Sequence, residues 1–250
     1  MLNYPSKFFQ FLNSHSSYTR DPNLVKKGSG VYEGSDWGLT RENRFVFYSN
    51  STLQNYFRMI FQDANKISSA SMLCEKFDFS VFNKVGDIGG VPFSQSWVIK
   101  TIFPNLKFAL SDHDVGSLAK HKACPPFMSE YCDFVSFDAI IDDLTVFDDC
   151  DLLTMWGVDY ALQDIELLRL IKLVKSQEKS LLLATMDIDS KSLFKRFGSE
   201  LFGSFLKAFG RSRYHGLLRN QFYITELCRS ADVNCKYIMA DNSYRIFQIN

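Results

Sequence analysis

From Lys84 onward the chain alternates short apolar runs with stretches of helical periodicity, and that alternation leaves few folds open. Residues 180–186 read Ser-Leu-Leu-Leu-Ala-Thr-Met, apolar at successive positions, so a strand formed there must be covered on both faces. A parallel sheet with crossover helices provides that cover. Four more strands are expected before it, at 82–88, 106–111, 133–137 and 151–156. Helices are expected at 94–103, with Pro92 tolerated in the first turn, and at 116–122, 164–175, 192–208 and 221–230. The 164–175 segment is the clearest of these, with Leu167, Leu170, Ile171 and Val174 at i, i+3, i+4 and i+7. Two strand-like runs close the chain, 235–240 and 244–249. Asp241-Asn242-Ser243 joins them with the turn chemistry of an antiparallel hairpin.

Residues 1–80 have a different texture, polar, aromatic and irregular, and are taken as a separate N-terminal cap facing the substrate, ahead of a domain at 81–250. A helix is expected after Ser51, with Leu53, Tyr56, Phe57 and Ile60 on one stripe. A shorter one carries Phe8, Phe9 and Leu12, and 27–43 reads as loop.

Charge excludes several function classes. Lys+Arg and Asp+Glu stand at 28 each, so no net field draws the chain to nucleic acid or to an anionic membrane. No apolar segment approaches the length of a membrane span, and the N-terminus carries no signal-peptide pattern. The six cysteines form no CxxC pair, which argues against structural zinc and fits reduced core thiols in a cytoplasmic protein.

The chemistry-bearing motifs sit where the expected strands end. Val85-Gly86-Asp87-Ile88-Gly89-Gly90 closes the first strand with an acid and glycines, letting backbone approach a ligand beside a helix N-terminus. Asp112 follows Gly89 by 23 residues, close to the interval of an acid that accepts hydrogen bonds from ribose hydroxyls. Phe137-Asp138-Ala139 closes the third strand, and Asp151-Leu152-Leu153-Thr154-Met155-Trp156 forms the fourth.

In this order and spacing the motifs resemble those of class I S-adenosylmethionine-dependent methyltransferases, over roughly 82–183, with the closing hairpin extending the likeness to residue 250. The resemblance implies a Rossmann-like α/β fold, with a seven-stranded sheet, mostly parallel with the last strand antiparallel. Helices would cover both faces, with the N-terminal helical cap beside them. It implies S-adenosylmethionine as cofactor. Asp87, Gly89 and Gly90 would hold its amino-acid end, Asp112 its ribose and His113 would lie beside the adenine. Asp138 would accept the adenine amino group, with backbone near Ala139 meeting a ring nitrogen. Trp156 and Tyr160 would border the reacting methyl, and Tyr214 and His215 would face the acceptor. His215 is then a candidate general base, its ordinary pKa lying near neutrality.

The chain departs from the family pattern at Val91 and Phe93, which stand where further glycines are usual, and at 175–179, which replaces a glycine-containing turn. Each candidate also has a plain structural reading: a tight turn at Gly89, a strand-end acid at Asp112, a core tryptophan at Trp156, a surface or helix-capping His215. The function implied is O-methylation of a sugar, glycan or other small metabolite. The alternative is a degenerate methyltransferase fold that serves as a binding scaffold. A nicotinamide enzyme would carry G-x-G-x-x-G, which is absent. No metal is expected. Asp142, Asp143, Asp148, Asp149 and Asp151 read as a solvated acidic loop, and Asp159, Asp187 and Asp189 form only a loosely spaced alternative. The partner expected is a small molecule or glycan, with no nucleic acid and no membrane; the oligomeric state is not legible.

Overall fold

The computed structural model of the chain describes residues 64–89, 93–112, 118–119, 132–159, 162, 164–186, 219, 221–241 and 243–250. Seven strands, β1 (Lys84–Ile88), β2 (Lys107–Asp112), β3 (Cys132–Ser136), β4 (Leu152–Trp156), β5 (Ser180–Met186), β6 (Cys235–Ala240) and β7 (Tyr244–Ile249), form one sheet. Their order is β3-β2-β1-β4-β5-β7-β6. Strands β1 to β5 are parallel to their neighbours, and β7 lies antiparallel between β5 and β6. The chain therefore runs outward from β1 to β3 and then crosses back to β4. A sheet that reverses this way opens a crevice beyond the carboxyl ends of β1 and β4.

Alternation along the strands divides the core in two. Val85, Leu152, Trp156, Leu182 and Ala184 face a cluster with α1 (Ala64–Cys74) and α2 (Ser94–Ile102). Ile88, Leu153, Met155, Leu181 and Leu183 face the other, with α3 (Asp164–Ser176) and α4 (Gln221–Ser230). The expected stripe of α3, Leu167, Leu170, Ile171 and Val174, is fully buried. Removing each such side chain from water contributes about 1.5–3 kcal/mol, so the stripe is enough to dock the helix. The closing hairpin forms as its turn chemistry requires. Asp241 accepts from the Ser243 and Tyr244 amides at 2.6 and 2.7 Å, and its own amide donates to the Tyr244 carbonyl at 2.9 Å.

Strand ends shift by a residue or two from the expected bounds, for local reasons. Asp151 stays outside β4 because its carboxylate accepts from the Asn83 and Lys84 amides, at 2.6 and 3.2 Å, and so caps the start of β1. Phe137 leaves β3 to pack edge-on against Phe147, 5.1 Å between ring centroids.

Helix α1 is the element that the sequence reading lacked. Its buried positions, Lys66, Ser69, Ala70 and Leu73, are spaced i, i+3, i+4, i+7, but half of them are polar. A hydrophobic stripe is therefore missing from a helix that is nonetheless packed inward. Together with Phe79 it belongs to the same core cluster as the sheet. The helices expected near residues 8–12, 51–60 and 192–208 and the loop at 27–43 lie outside the described residues. Of 116–122, only 118–119 are described, and they are helical.

Candidate functional site

The carboxyl ends of β1, β2 and β4 meet at the reversal of strand order, and the loop after β3 closes the adjoining side. Asp87, near the end of β1, is completely buried. Its carboxylate accepts from Thr154 Oγ1 of β4 at 2.9 Å, from Gln95 Nε2 of α2 at 2.8 Å, and from Ser96 Oγ of α2. Burial pushes this carboxyl above the usual carboxylate range, while the hydrogen bonds from Ser96, Thr154 and Gln95 and the positive charge of Lys66 pull against it. Asp87 thus faces into the protein and ties β1 to β4 and to the first turn of α2.

Both described ends of the connection between β1 and α2, Gly89 and Phe93, take positive φ. Gly89 stands at φ +62°, and its amide donates to the Ser111 carbonyl at 2.9 Å. A Cβ there would lie 3.2 Å from both Cγ atoms of Val158, just after β4, so a side chain is opposed by space as well as by backbone angle. Phe93, one of the departures from the family pattern, adopts φ 60° and ψ 27° as the N-cap of α2. That left-handed conformation costs a non-glycine residue on the order of 1–2 kcal/mol. The ring of Phe93 is wholly buried in the core cluster that also holds side chains of α1, α2 and the sheet, which offsets the cost. The backbone shape that a glycine would adopt freely is here held by an aromatic anchor.

Asp112 ends β2, is 8% exposed, and its carbonyl accepts from the Phe137 amide at 3.1 Å. Asp138 organises its own loop, accepting from the Ile140 amide at 2.9 Å while its amide donates to Asp142 at 2.8 Å. Ala139 is buried beside Phe137 and Phe147. Arg169 of α3 holds the same loop from below, donating to the carbonyls of Ile140, Ile141 and Asp142 at 3.2, 2.9 and 2.8 Å.

Trp156, at the end of β4, is 1% exposed and packs edge-on against Tyr244 at 5.9 Å. Its indole N–H is buried and meets no acceptor among the described residues. The segment after β4 is clamped by Arg219, which is 4% exposed. The guanidinium donates to the carbonyls of Asp159 and Leu162 at 2.6 and 2.7 Å. It also donates twice to one oxygen of Asp164, at 2.9 and 2.7 Å, while the Tyr223 hydroxyl bonds the other. Partial burial works to raise the Asp164 carboxyl, but the bonds from Tyr223 and Arg219 and the guanidinium charge outweigh it, and the net shift is downward.

Among the sequence-derived candidates, the structure therefore gathers Asp87, Gly89, Asp112, Asp138, Ala139 and Trp156 about the carboxyl edge. Gly90, His113, Tyr160, Tyr214 and His215 lie outside the described residues, as do Asp187 and Asp189. Among the described residues no group of three or more His, Cys, Asp or Glu side chains is placed to hold a metal ion, and no helix is long and apolar enough to cross a membrane. Lys66, Gln95, Ser96, Thr154, Arg169 and Arg219 were not singled out in the sequence. Signals existed for some of them: Thr154 is the polar residue in an otherwise apolar strand, and Ser94-Gln95-Ser96 is a polar triplet opening an apolar helix.

No protein-family model and no curated protein matches the sequence. Solved structures do. Human N-acetylserotonin methyltransferase in complex with S-adenosylmethionine superposes with a TM-score of 0.58 at 15% identity, over 97% of this chain and 66% of that one. An O-methyltransferase family protein from Burkholderia thailandensis gives 0.60 at 13% identity, over 98% and 70%. Mitomycin 7-O-methyltransferase gives 0.57 at 16% identity, over 99% and 68%. This chain has the class I methyltransferase fold. It spans about two thirds of the length of these proteins, and at such identities the likeness is one of fold. The seven-stranded, mostly parallel sheet, the antiparallel β7 and helices on both faces agree with the expectation from sequence.

Proposed function

We propose that the chain binds S-adenosylmethionine at the carboxyl edge of β1 to β4 and transfers its methyl group to a hydroxyl of a sugar, glycan or other small metabolite. The observation that carries this reading is the meeting of Gly89, Asp112 and the Asp138 loop at the point where the strand order reverses. The residues present suit the cofactor. Gly89 offers bare backbone at a positive φ, and Asp112 supplies a carboxylate, the acceptor that vicinal hydroxyls need, at the end of the neighbouring strand. Asp112 is assigned to the ribose, Asp138 and Ala139 to the adenine side with His113, and Gly89 and Gly90 to the amino-acid end. Asp87 supports that end from within, by fixing the first turn of α2.

When bound, the cofactor supplies an electrophilic methyl on a positive sulfonium. The protein has then to align the acceptor oxygen, exclude water and receive a proton. Trp156 contributes a buried indole N–H beside the end of β4, and Arg219 holds the segment that follows. His215 is assigned the proton of the acceptor hydroxyl, with Tyr214 beside it, and residues 1–80 the acceptor-facing side. The described cysteines, Cys74, Cys132, Cys150, Cys228 and Cys235, form no disulfide with one another, which accords with work in the cytoplasm.

The test is calorimetric titration of S-adenosylmethionine into the wild type and Asp112→Ala. Binding by the wild type, weakened by about tenfold or more in the variant, is expected from loss of a charged hydrogen-bond acceptor. A folded wild type that shows no binding refutes the reading.

A further inference from the structure

Tyr244 opens β7 and is 7% exposed, in a stretch of the chain that carries none of the motifs. Asp241 fixes where it stands. One carboxylate oxygen accepts from the Ser243 and Tyr244 amides at 2.6 and 2.7 Å, and the other accepts from Ser69 Oγ of α1. From this anchored start the ring reaches past β5 to the end of β4, where it meets Trp156 edge-on at 5.9 Å. It also fills the space that a side chain at position 157 would need. A Cβ on Gly157 would lie 3.2 Å from Tyr244 Cε1 and 3.4 Å from the hydroxyl oxygen. Gly157 itself stands at φ +61°, and its amide donates to the Ala184 carbonyl of β5 at 2.8 Å. The next residue, Val158, is the one that faces Gly89, with both Cγ atoms 3.2 Å from where a Cβ would be. The turn that leaves β4 is thus packed between Tyr244 on the β7 side and Gly89 on the β1 side.

We infer that Tyr244 is a positioning residue for the cofactor site, its ring holding the turn 156–158 against Gly89 without touching the ligand. This rests on the cofactor reading above. Glycine has more backbone freedom than any other residue, so the path of the turn at Gly157 depends on what packs against it. A smaller side chain at 244 leaves a void on the β7 side. The turn then relaxes about the Gly157–Ala184 hydrogen bond, Val158 withdraws from Gly89, and the bare backbone offered to the cofactor loses its fixed place. The atom of Tyr244 nearest the Gly157 Cβ position is a ring carbon and not the hydroxyl, so the shape of the ring carries the effect.

The experiment compares Tyr244→Leu, Tyr244→Phe, Val158→Ala and the double variant Tyr244→Leu/Val158→Ala, with Phe247→Leu as control. Phe247 is buried further along β7, in the cluster on the opposite face of the sheet. Three quantities are read: Tm, the Kd for S-adenosylhomocysteine by calorimetry, and amide hydrogen exchange of residues 157–159 in ligand-free protein. Tyr244→Leu is expected to weaken binding by about tenfold and to speed exchange at 157–159, whereas Tyr244→Phe should match the wild type in both. Val158→Ala should weaken binding by a similar factor. Because both residues act on one contact, the double variant should bind no worse than the weaker single variant. Phe247→Leu should lower Tm about as much as Tyr244→Leu while leaving Kd and exchange unchanged, which separates positioning from general destabilisation. Wild-type affinity and exchange in Tyr244→Leu, or an equal loss of affinity in Phe247→Leu, overturns the inference. Should Tyr244→Leu fail to fold, Val158→Ala decides the matter, and wild-type affinity there overturns it. If the wild type binds no S-adenosylhomocysteine, the cofactor reading fails. Unchanged exchange at 157–159 in Tyr244→Leu would separately remove Tyr244 from control of the turn.

Discussion

Replacing Arg219 with Met isolates the clamp on the segment after β4, because the methionine stem fills much of the buried space while all the donors are lost. Two carbonyls, those of Asp159 and Leu162, lose bonds of 2.6 and 2.7 Å in buried surroundings. Each unsatisfied buried acceptor costs about 1–3 kcal/mol. The pair with Asp164 is worth less, about 0.5 kcal/mol, since that carboxylate is 46% exposed and water replaces the guanidinium. Some relaxation of the loop is expected, so the sum falls near 3 kcal/mol, or a drop in Tm of about 6–12 °C for a domain of this size. Urea denaturation followed by circular dichroism measures it, with an unchanged m value showing that the unfolded reference is the same. Arg219→Lys should recover little, because an ammonium cannot span three acceptors in the fork geometry of a guanidinium. A loss below about 1 kcal/mol in Arg219→Met, or full recovery in Arg219→Lys, would refute the claim that these bonds hold the segment.

Other consequences follow from the same contacts. Asp164 has its folded-state pKa lowered, so its contribution is fully present above the ordinary aspartate value of 3.8 and is lost as pH falls through the lower folded value. The Tm difference between wild type and Arg219→Met should therefore stay constant from about pH 8 to pH 5 and shrink below about pH 4; a difference that already shrinks near pH 6 contradicts it. Gly86→Ala would place a Cβ 2.6 Å from Phe147 Cδ1 and 2.8 Å from Leu153 Cδ2, so a loss of about 1–3 kcal/mol is expected in chemical denaturation, and a neutral result would mean that Phe147 yields freely. Burial pushes the thiols of Cys74, Cys132 and Cys150 up to about 12, so iodoacetamide at about pH 8 should label them far more slowly than a free thiol, and rapid labelling read by mass spectrometry would contradict their burial.

The fold was legible where burial is apolar and periodic. β5 was recognisable from its continuous apolar run, α3 from its stripe, and β6 and β7 from the Asp241 turn, and each lies where expected. α1 escaped because its buried face is Lys66, Ser69, Ala70 and Leu73, a pattern that hydrophobic periodicity does not register. Glycine counting misleads for a related reason. Phe93, Glu178 and Asp232 all take positive φ, the conformation for which glycine is the usual signal. At Glu178 and Asp232 the left-handed residue closes a helix, with the Lys179 amide bonding the Val174 carbonyl and the Val233 amide that of Cys228, both at 3.0 Å. The glycine-poor turn at 175–179 is therefore an ordinary helix end made with a different residue.

The sequence by itself determined the order of strands and helices, the hairpin that makes β7 antiparallel, and the positions of acids and glycines at strand ends. All of these follow from local rules of periodicity, turn chemistry and spacing along the chain. Only the tertiary structure decided which way those acids face. Asp87 turns inward because Thr154, Gln95 and Ser96, from two other elements, converge on it, whereas Asp138 accepts from its own loop. Arg219 likewise became a clamp only when folding brought it within reach of Asp164 and of two carbonyls more than fifty residues earlier in the chain. A charge's partner in a folded chain is set by distance in space and by exclusion of water, and neither quantity is written in the spacing of residues along the sequence.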